Sequence, residues 1–194
     1  MKLKSILVTG AAGFIGFHMS ELLLNKGYKV VGYDSMSNYY DIKIKLKRLK
    51  ILKQYKNFYF HKNKLENKSY LKKIFKKYKF KYVIHLAAQA GVRHSIDHPE
   101  EYISTNIIGT YNIFECCKSQ SIKHLLVAST SSVYGASKNM PYKELENTNT
   151  PMSVYAATKI STESIGHAYA YNWGIPMTFF RFFTVYGTWG RPDM

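Results

Sequence analysis

Three glycines at positions 10, 13 and 16, set between a short apolar run and a helical pattern, restrict this chain more than any other feature. Ile6, Leu7 and Val8 read as a buried parallel strand. From Phe14 to Leu24 the apolar residues recur at helical spacing, and Gly27 stops that helix. A second strand, Lys29 to Gly32, ends at Asp34. Strand, glycine turn, helix and strand with an acid at its tip make a dinucleotide site. The glycines let backbone approach a pyrophosphate, the helix N-terminus offers unbonded N–H groups and positive dipole, and a carboxylate accepts from ribose hydroxyls. A tight turn with no ligand would not need three glycines at this spacing. Asp34 favours NAD over NADP, because a 2′-phosphate would meet its negative charge.

A chain of 194 residues can build one substantial core. Cys116 and Cys117 are adjacent in sequence, poor disulfide partners, and read as small apolar helix residues in a reducing compartment. The start, Met1 to Val8, has an apolar run too short for a signal peptide, and no stretch approaches membrane-spanning length. The expectation is a soluble, cytoplasmic protein. Of the net charge of +16, +15 falls in residues 42–81, which hold sixteen Lys or Arg and the single acid Glu66. Lysine mixed with Asn, Ile and Tyr, on no recognised reader module, reads as solvated helix faces rather than a nucleic-acid surface. Its field would still steer an anionic substrate.

After the loop 35–41, helices are expected at 42–55 and 69–78, a third strand at 58–60 and a fourth at 82–84. A loop through Arg93 follows, then a long helix over 100–119 and a fifth strand over 124–128, with the polar run Ser129 to Ser132 at its end. A loop over 138–150, a long helix over 153–172 and a sixth strand over 176–183 complete the order. Alternating strands and helices predict an α/β doubly wound parallel sheet, a Rossmann fold with ligands at the C-terminal strand ends. Residues 1–183 form the NAD-binding domain in this reading. Residues 184–194 leave the sixth strand with nothing to pack against and begin a substrate-binding region that is largely missing.

Tyr155 and Lys159 lie one helical turn apart on one face. A tyrosine titrating near ~10 is a poor base at neutral pH, and a nearby cation favours its phenolate. Such a pair can work as general base and acid on a sugar hydroxyl or ketone. The histidines at 85, 94 and 98 and the paired cysteines show no metal-ligand spacing.

These motifs, with the Ser-Thr-Ser-Ser-Val-Tyr-Gly run at 129–135, resemble the extended short-chain dehydrogenase/reductase family of nucleotide-sugar enzymes. More narrowly, the segments 8–18, 85–93 and 181–194 resemble UDP-glucuronate 4-epimerases of capsule polysaccharide synthesis. The resemblance covers the whole chain and stops where that family continues into its substrate domain. It implies that NAD stays bound and that the UDP-sugar passes through a 4-keto intermediate. Tyr155 takes the sugar 4-hydroxyl proton, Thr130 hydrogen-bonds that oxygen, and Lys159 lowers the Tyr155 pKa and holds the nicotinamide ribose. On the cofactor side it implies Gly10, Gly13, Phe14, Ile15 and Gly16 at the turn, with Asp34 and Asn38 at the adenosine. Leu65, Leu86, Ala87, Ala88 and Phe183 complete the wall, and Asn106 matches a family asparagine that is equally a packing or capping residue. For the uronic carboxylate it implies Arg191, or alternatively Arg93, with the hydroxyls of Ser131, Ser132 and Thr184.

Two positions separate neighbours within the family. Ser132 stands where decarboxylases and 4,6-dehydratases carry glutamate, and Thr184 stands where UDP-glucose/galactose epimerases carry asparagine. One position departs from the pattern. Lys64 precedes Leu65 where the family has an acid that contacts adenine, and a lysine cannot accept from the adenine amino group. A UDP-hexose 4-epimerase and an inactive NAD-binding module are therefore the rivals. By the same resemblance, helices 100–119 and 153–172 pair in a homodimer, although Ile103, Ile107, Ile113 and Phe114 fit that interface or packing on the sheet equally well.

Overall fold

The computed structural model describes residues 5–191, so Met1 to Lys4 and Pro192 to Met194, the ends of both expected segments, lie outside the described residues. Six strands form one sheet: β1 (Ser5–Thr9), β2 (Lys29–Asp34), β3 (Phe58–Lys62), β4 (Tyr82–His85), β5 (His124–Thr130) and β6 (Met177–Phe182). Every pairing is parallel, in the order β3-β2-β1-β4-β5-β6. The direction of winding reverses between β1 and β4, which opens a crevice at their C-terminal ends.

Alternation along the strands sorts the core into two layers. Leu7, Val31, Val83, Leu125 and Val127 face α3 (Lys68–Tyr78) and the later helices, where Phe75, Ile113 and Phe114 are fully buried. Ile6, Val8, Val30 and Ile84 face α1 (Phe14–Asn25) and α2 (Ile42–Leu52), packing on Phe17, Leu49 and Leu52. Burying each such side chain stabilises the fold by about 1.5–3 kcal/mol. Ile113 and Phe114, left open between interface and sheet, belong to the sheet core.

Local chemistry sets the helix ends. Asp41 and Asn67 cap α2 and α3 through Lys43 N (2.8 Å) and Tyr70 N (3.1 Å). Ser153 caps α7 (Val154–Trp173) through Ala156 N (3.1 Å), and Gly174 ends it in the left-handed region. After the short α4 (His94–Asp97), the expected helix 100–119 is three pieces: α5 (Pro99–Tyr102), a π-helical stretch Ile103–Gly109 and α6 (Thr110–Lys118). The wider π turn brings the consecutive Ser104, Thr105 and Asn106 toward one side, which a 3.6-residue period does not anticipate. Among the described residues no helix is long and apolar enough to cross a membrane.

Beyond β6 the chain does not hang free, contrary to the sequence expectation. Arg48 Nη2 donates to the Gly190 carbonyl (3.2 Å) and to the Trp189 carbonyl, and His18 Nε2 donates to the Thr188 carbonyl (2.8 Å). Trp189 also packs edge-on against Phe17. The segment therefore folds back across α1 and α2, and Arg48 is the clasp. The same guanidinium donates to the Ala12 carbonyl of the glycine turn (3.0 Å) and to the Tyr40 hydroxyl (2.7 Å).

Candidate active site

A cleft of about 1120 Å³ runs along the C-terminal strand ends. At its centre the glycine turn is built for close approach. Gly10 has φ of 71°, and a Cβ there would sit 2.9 Å from Ala87 N. A Cβ on Gly16 would sit 2.0 Å from the Gly10 carbonyl oxygen, so helix and turn close on each other only with glycine. No side chain caps α1 and no acid lies in its first turn, which leaves that helix end open to an anion. Asp34 is buried at the tip of β2, where Oδ2 accepts from Ala12 N (3.0 Å) and Oδ1 from Met36 N (2.8 Å). One backbone donor on each oxygen fixes the carboxylate and leaves lone pairs for a ribose diol. A turn that a Cβ would fill, an uncapped helix end and a fixed acid fit a dinucleotide such as NAD.

The opposite end of the cleft carries the chemistry. Thr130 ends β5, and α7 presents Tyr155 and Lys159 beside it. Lys159 is buried and its Nζ donates to the Ala128 carbonyl (2.9 Å), while burial lowers its pKa to about 8 against the opposing pull of Glu163. The Tyr155 pKa is raised rather than lowered, a correction to the sequence expectation. Burial is the main cause, and the Thr130 hydroxyl and the Arg191 charge pull the other way. Lys159 has little leverage on the phenol because it is aimed at a backbone carbonyl and disfavours its own charge. Arg191 is the cation that acts on Tyr155.

Behind this pair, Glu163 is held by Arg181, whose Nε and Nη2 donate to it at 3.1 and 2.8 Å. Ser129 donates to the same carboxylate. Arg181 also reaches the Glu144 carbonyl (3.0 Å) and lies over the Tyr134 ring. The polar end of β5 is thereby fixed to α7.

The cleft gathers nearly all of the residues singled out in the sequence. Gly10, Gly13, Phe14, Ile15, Gly16, Asp34 and Asn38 line it with Leu65, Leu86, Ala87, Ala88 and Phe183. Ser131, Ser132, Thr184 and Arg191 line it near Thr130, Tyr155 and Lys159. Arg93 does not; it is exposed at the start of α4. Asn106 is also outside the wall. It is buried, accepts from Gln89 N (2.8 Å), and donates to the Gln89 carbonyl (3.0 Å) and to Thr158 Oγ1 (3.1 Å). Its place is a brace between the β4 loop and α7.

Several participants escaped sequence reasoning. Tyr102 is fully buried, its hydroxyl donates to the Ala90 and Gly91 carbonyls, and its ring meets Tyr155 edge-on. Lys45, on the cleft wall, donates to Ser37 at 2.9 Å, and burial lowers its pKa. Arg48 carried a legible signal, as the single arginine in a run of lysines.

Residues 7–193 match the GDP-mannose 4,6 dehydratase family. The chain is 46% identical over 188 residues to a probable UDP-glucuronate 4-epimerase of Rhizobium meliloti, covering 97% of this chain and 55% of that protein. The crystal structure of UDP-glucuronic acid 4-epimerase from Bacillus cereus, in complex with UDP-glucuronic acid and NAD, superposes with a TM-score of 0.90 at 38% identity. That match covers 98% of this chain and 60% of the other. UDP-glucose 4-epimerase of Thermotoga maritima with UDP-glucose gives a TM-score of 0.85 at 34% identity over 94% and 56% of the two chains. The chain thus spans a little over half the length of the relatives it matches. With its parallel six-stranded sheet, its glycine turn and its Tyr155–Lys159 helix, the chain belongs to the GDP-mannose 4,6 dehydratase family.

Proposed function

We propose that this chain forms the NAD-binding and catalytic part of a 4-epimerase that interconverts UDP-glucuronate and UDP-galacturonate. The observation that carries the reading is Arg191 in one cleft with Thr130, Tyr155 and Lys159, close enough for its charge to act on the Tyr155 phenol. A cation beside the catalytic hydroxyl suits a sugar whose carboxylate is attached next to the reacting carbon, and an arginine can hold that carboxylate bidentately. Arg93, exposed and away from the wall, does not suit it.

Tyr155 takes the proton from the sugar 4-hydroxyl as general base and returns it as general acid. Thr130 donates to the same oxygen. Lys159 orients the ribose nearest the reacting carbon. Bound NAD⁺ supplies reversible hydride acceptance, taking the C4 hydride and giving it back to the other face of the 4-keto sugar. Arg191 and the hydroxyls of Ser131, Ser132 and Thr184 hold the uronic acid through its turn-over. Ser132 has no acid/base capacity, which speaks against the dehydration that the family's description names. Residues 184–191 would begin the substrate-binding region. The exposed Ile103, Ile108, Tyr171 and Trp173 on helices 100–119 and 153–172 fit a homodimer.

Incubation with NAD⁺ and UDP-glucuronate, followed by separation of the two UDP-uronates, tests the reading. Formation of UDP-galacturonate supports it. Conversion of UDP-glucose instead would favour the hexose epimerase, which the likeness to the Thermotoga maritima enzyme keeps in view. Dinucleotide binding with no conversion of either sugar would mark an NAD-binding module.

A further inference from the structure

The loop after β3 carries an acid that the mechanism above does not use. Glu66 lines the cleft next to Leu65. Its Oε1 accepts from the hydroxyls of Thr105 (2.9 Å) and Ser104 (3.2 Å), both on the π-helical stretch. Its Oε2 is buried and has no hydrogen-bond partner among the described residues. A buried carboxylate oxygen left unbonded is costly, and one held in place through its twin is an acceptor fixed toward a donor.

The order of the sheet says which donor. Along β5-β1-β2-β3 the cleft presents Thr130, then Gly10, then Asp34, and last the loop 63–66. A dinucleotide with its reacting ring near Tyr155, its pyrophosphate at the glycine turn and one ribose on Asp34 places its remaining base at that last position. Leu65, Leu86 and Ala87 supply apolar walls there. Lys64 offers only donors from its side chain, which is exposed, while its carbonyl accepts from the Tyr33 hydroxyl (2.7 Å).

We propose that Glu66 Oε2 accepts a hydrogen bond from the exocyclic amino group of adenine, supplying the base recognition that Lys64 cannot give. The proposal rests on the dinucleotide reading of the cleft. The acid is displaced by two residues along the loop, and Ser104 and Thr105 hold it in position.

Nicotinamide hypoxanthine dinucleotide replaces that amino group with a carbonyl, which turns the donor into an acceptor. Calorimetric titration of the chain should give NAD⁺ an affinity about tenfold or more above the hypoxanthine analogue, as for a hydrogen bond to a charged group. Glu66→Gln, whose amide can accept or donate, should bring the two affinities within about threefold of each other. Equal affinities in the native chain, or a preference that survives Glu66→Gln, would overturn the assignment and leave the NAD site standing. Binding of neither dinucleotide would remove the cofactor reading, and the assignment with it. If Glu66→Gln does not fold, the ratio measured on the native chain decides.

Discussion

Acid should loosen this fold through one residue, His85. Leu86 N and Ala87 N both donate to Thr9 Oγ1 at 3.1 Å, so the single Thr9 hydroxyl proton goes to His85 Nδ1 at 2.7 Å. That makes Nδ1 an acceptor and puts the ring proton on Nε2, which donates to Thr110 Oγ1 at 3.0 Å. A second ring proton would confront a hydroxyl already saturated with donors. Burial, with the Lys159 charge adding to it, lowers the His85 pKa from 6.5 to about 3. Between these values the unfolded chain binds a proton that the folded chain refuses, so stability falls as pH drops below 6.5. From pH 7 to pH 5 this one linkage removes about 2 kcal/mol, worth roughly 4–8 °C in melting temperature for a domain of this size. Urea unfolding of the native chain and His85→Asn at both pH values measures it. The variant is less stable at pH 7, having lost the Thr110 contact, but the gap should narrow by about 2 kcal/mol at pH 5. A gap of the same size at both pH values would show that His85 titrates alike in both states and would refute the reasoning. The effect matters for the site because the same network ties Leu86 and Ala87, on the cleft wall, to the end of β1.

Gly16→Ala drives a methyl group to 2.0 Å from the Gly10 carbonyl, and overpacking of that kind costs about 1–3 kcal/mol. Its melting curve should shift down, and NAD⁺ should no longer raise it. Arg181→Met leaves Glu163 and Ser129 without their partner at a half-buried position, for a loss of about 2 kcal/mol in urea unfolding. Arg191→Met should weaken UDP-glucuronate binding about tenfold or more in calorimetry while leaving NAD⁺ binding within about threefold, since the carboxylate belongs to the sugar.

The fold was legible because its signals are local and repeat. Ile6 to Val8, the glycine turn and the helical spacing from Phe14 each specify one element, and six alternations leave one sheet order that the winding rule allows. The catalytic pair was legible for the same reason, as four residues apart on a helix is a fixed geometry. What escaped depends on partners distant in sequence. The Tyr155 pKa answers to burial and Arg191, thirty-six positions away, more than to its helical neighbour. Asn106 braces Gln89 and Thr158 because a π turn rotates it off the expected face. The last segment packs on α1 and α2 through Arg48, whose contacts with Gly190 and Ala12 join the two ends of the chain.

The central claim is that the C4 hydride leaves and returns within one site, with Tyr155 handling only the hydroxyl proton. Turnover of UDP-glucuronate carrying deuterium at C4, in ordinary water with NAD⁺, tests it most directly. UDP-galacturonate that keeps its deuterium at C4 is the predicted product. Galacturonate with hydrogen from solvent at C4, or no conversion at all, would contradict the account.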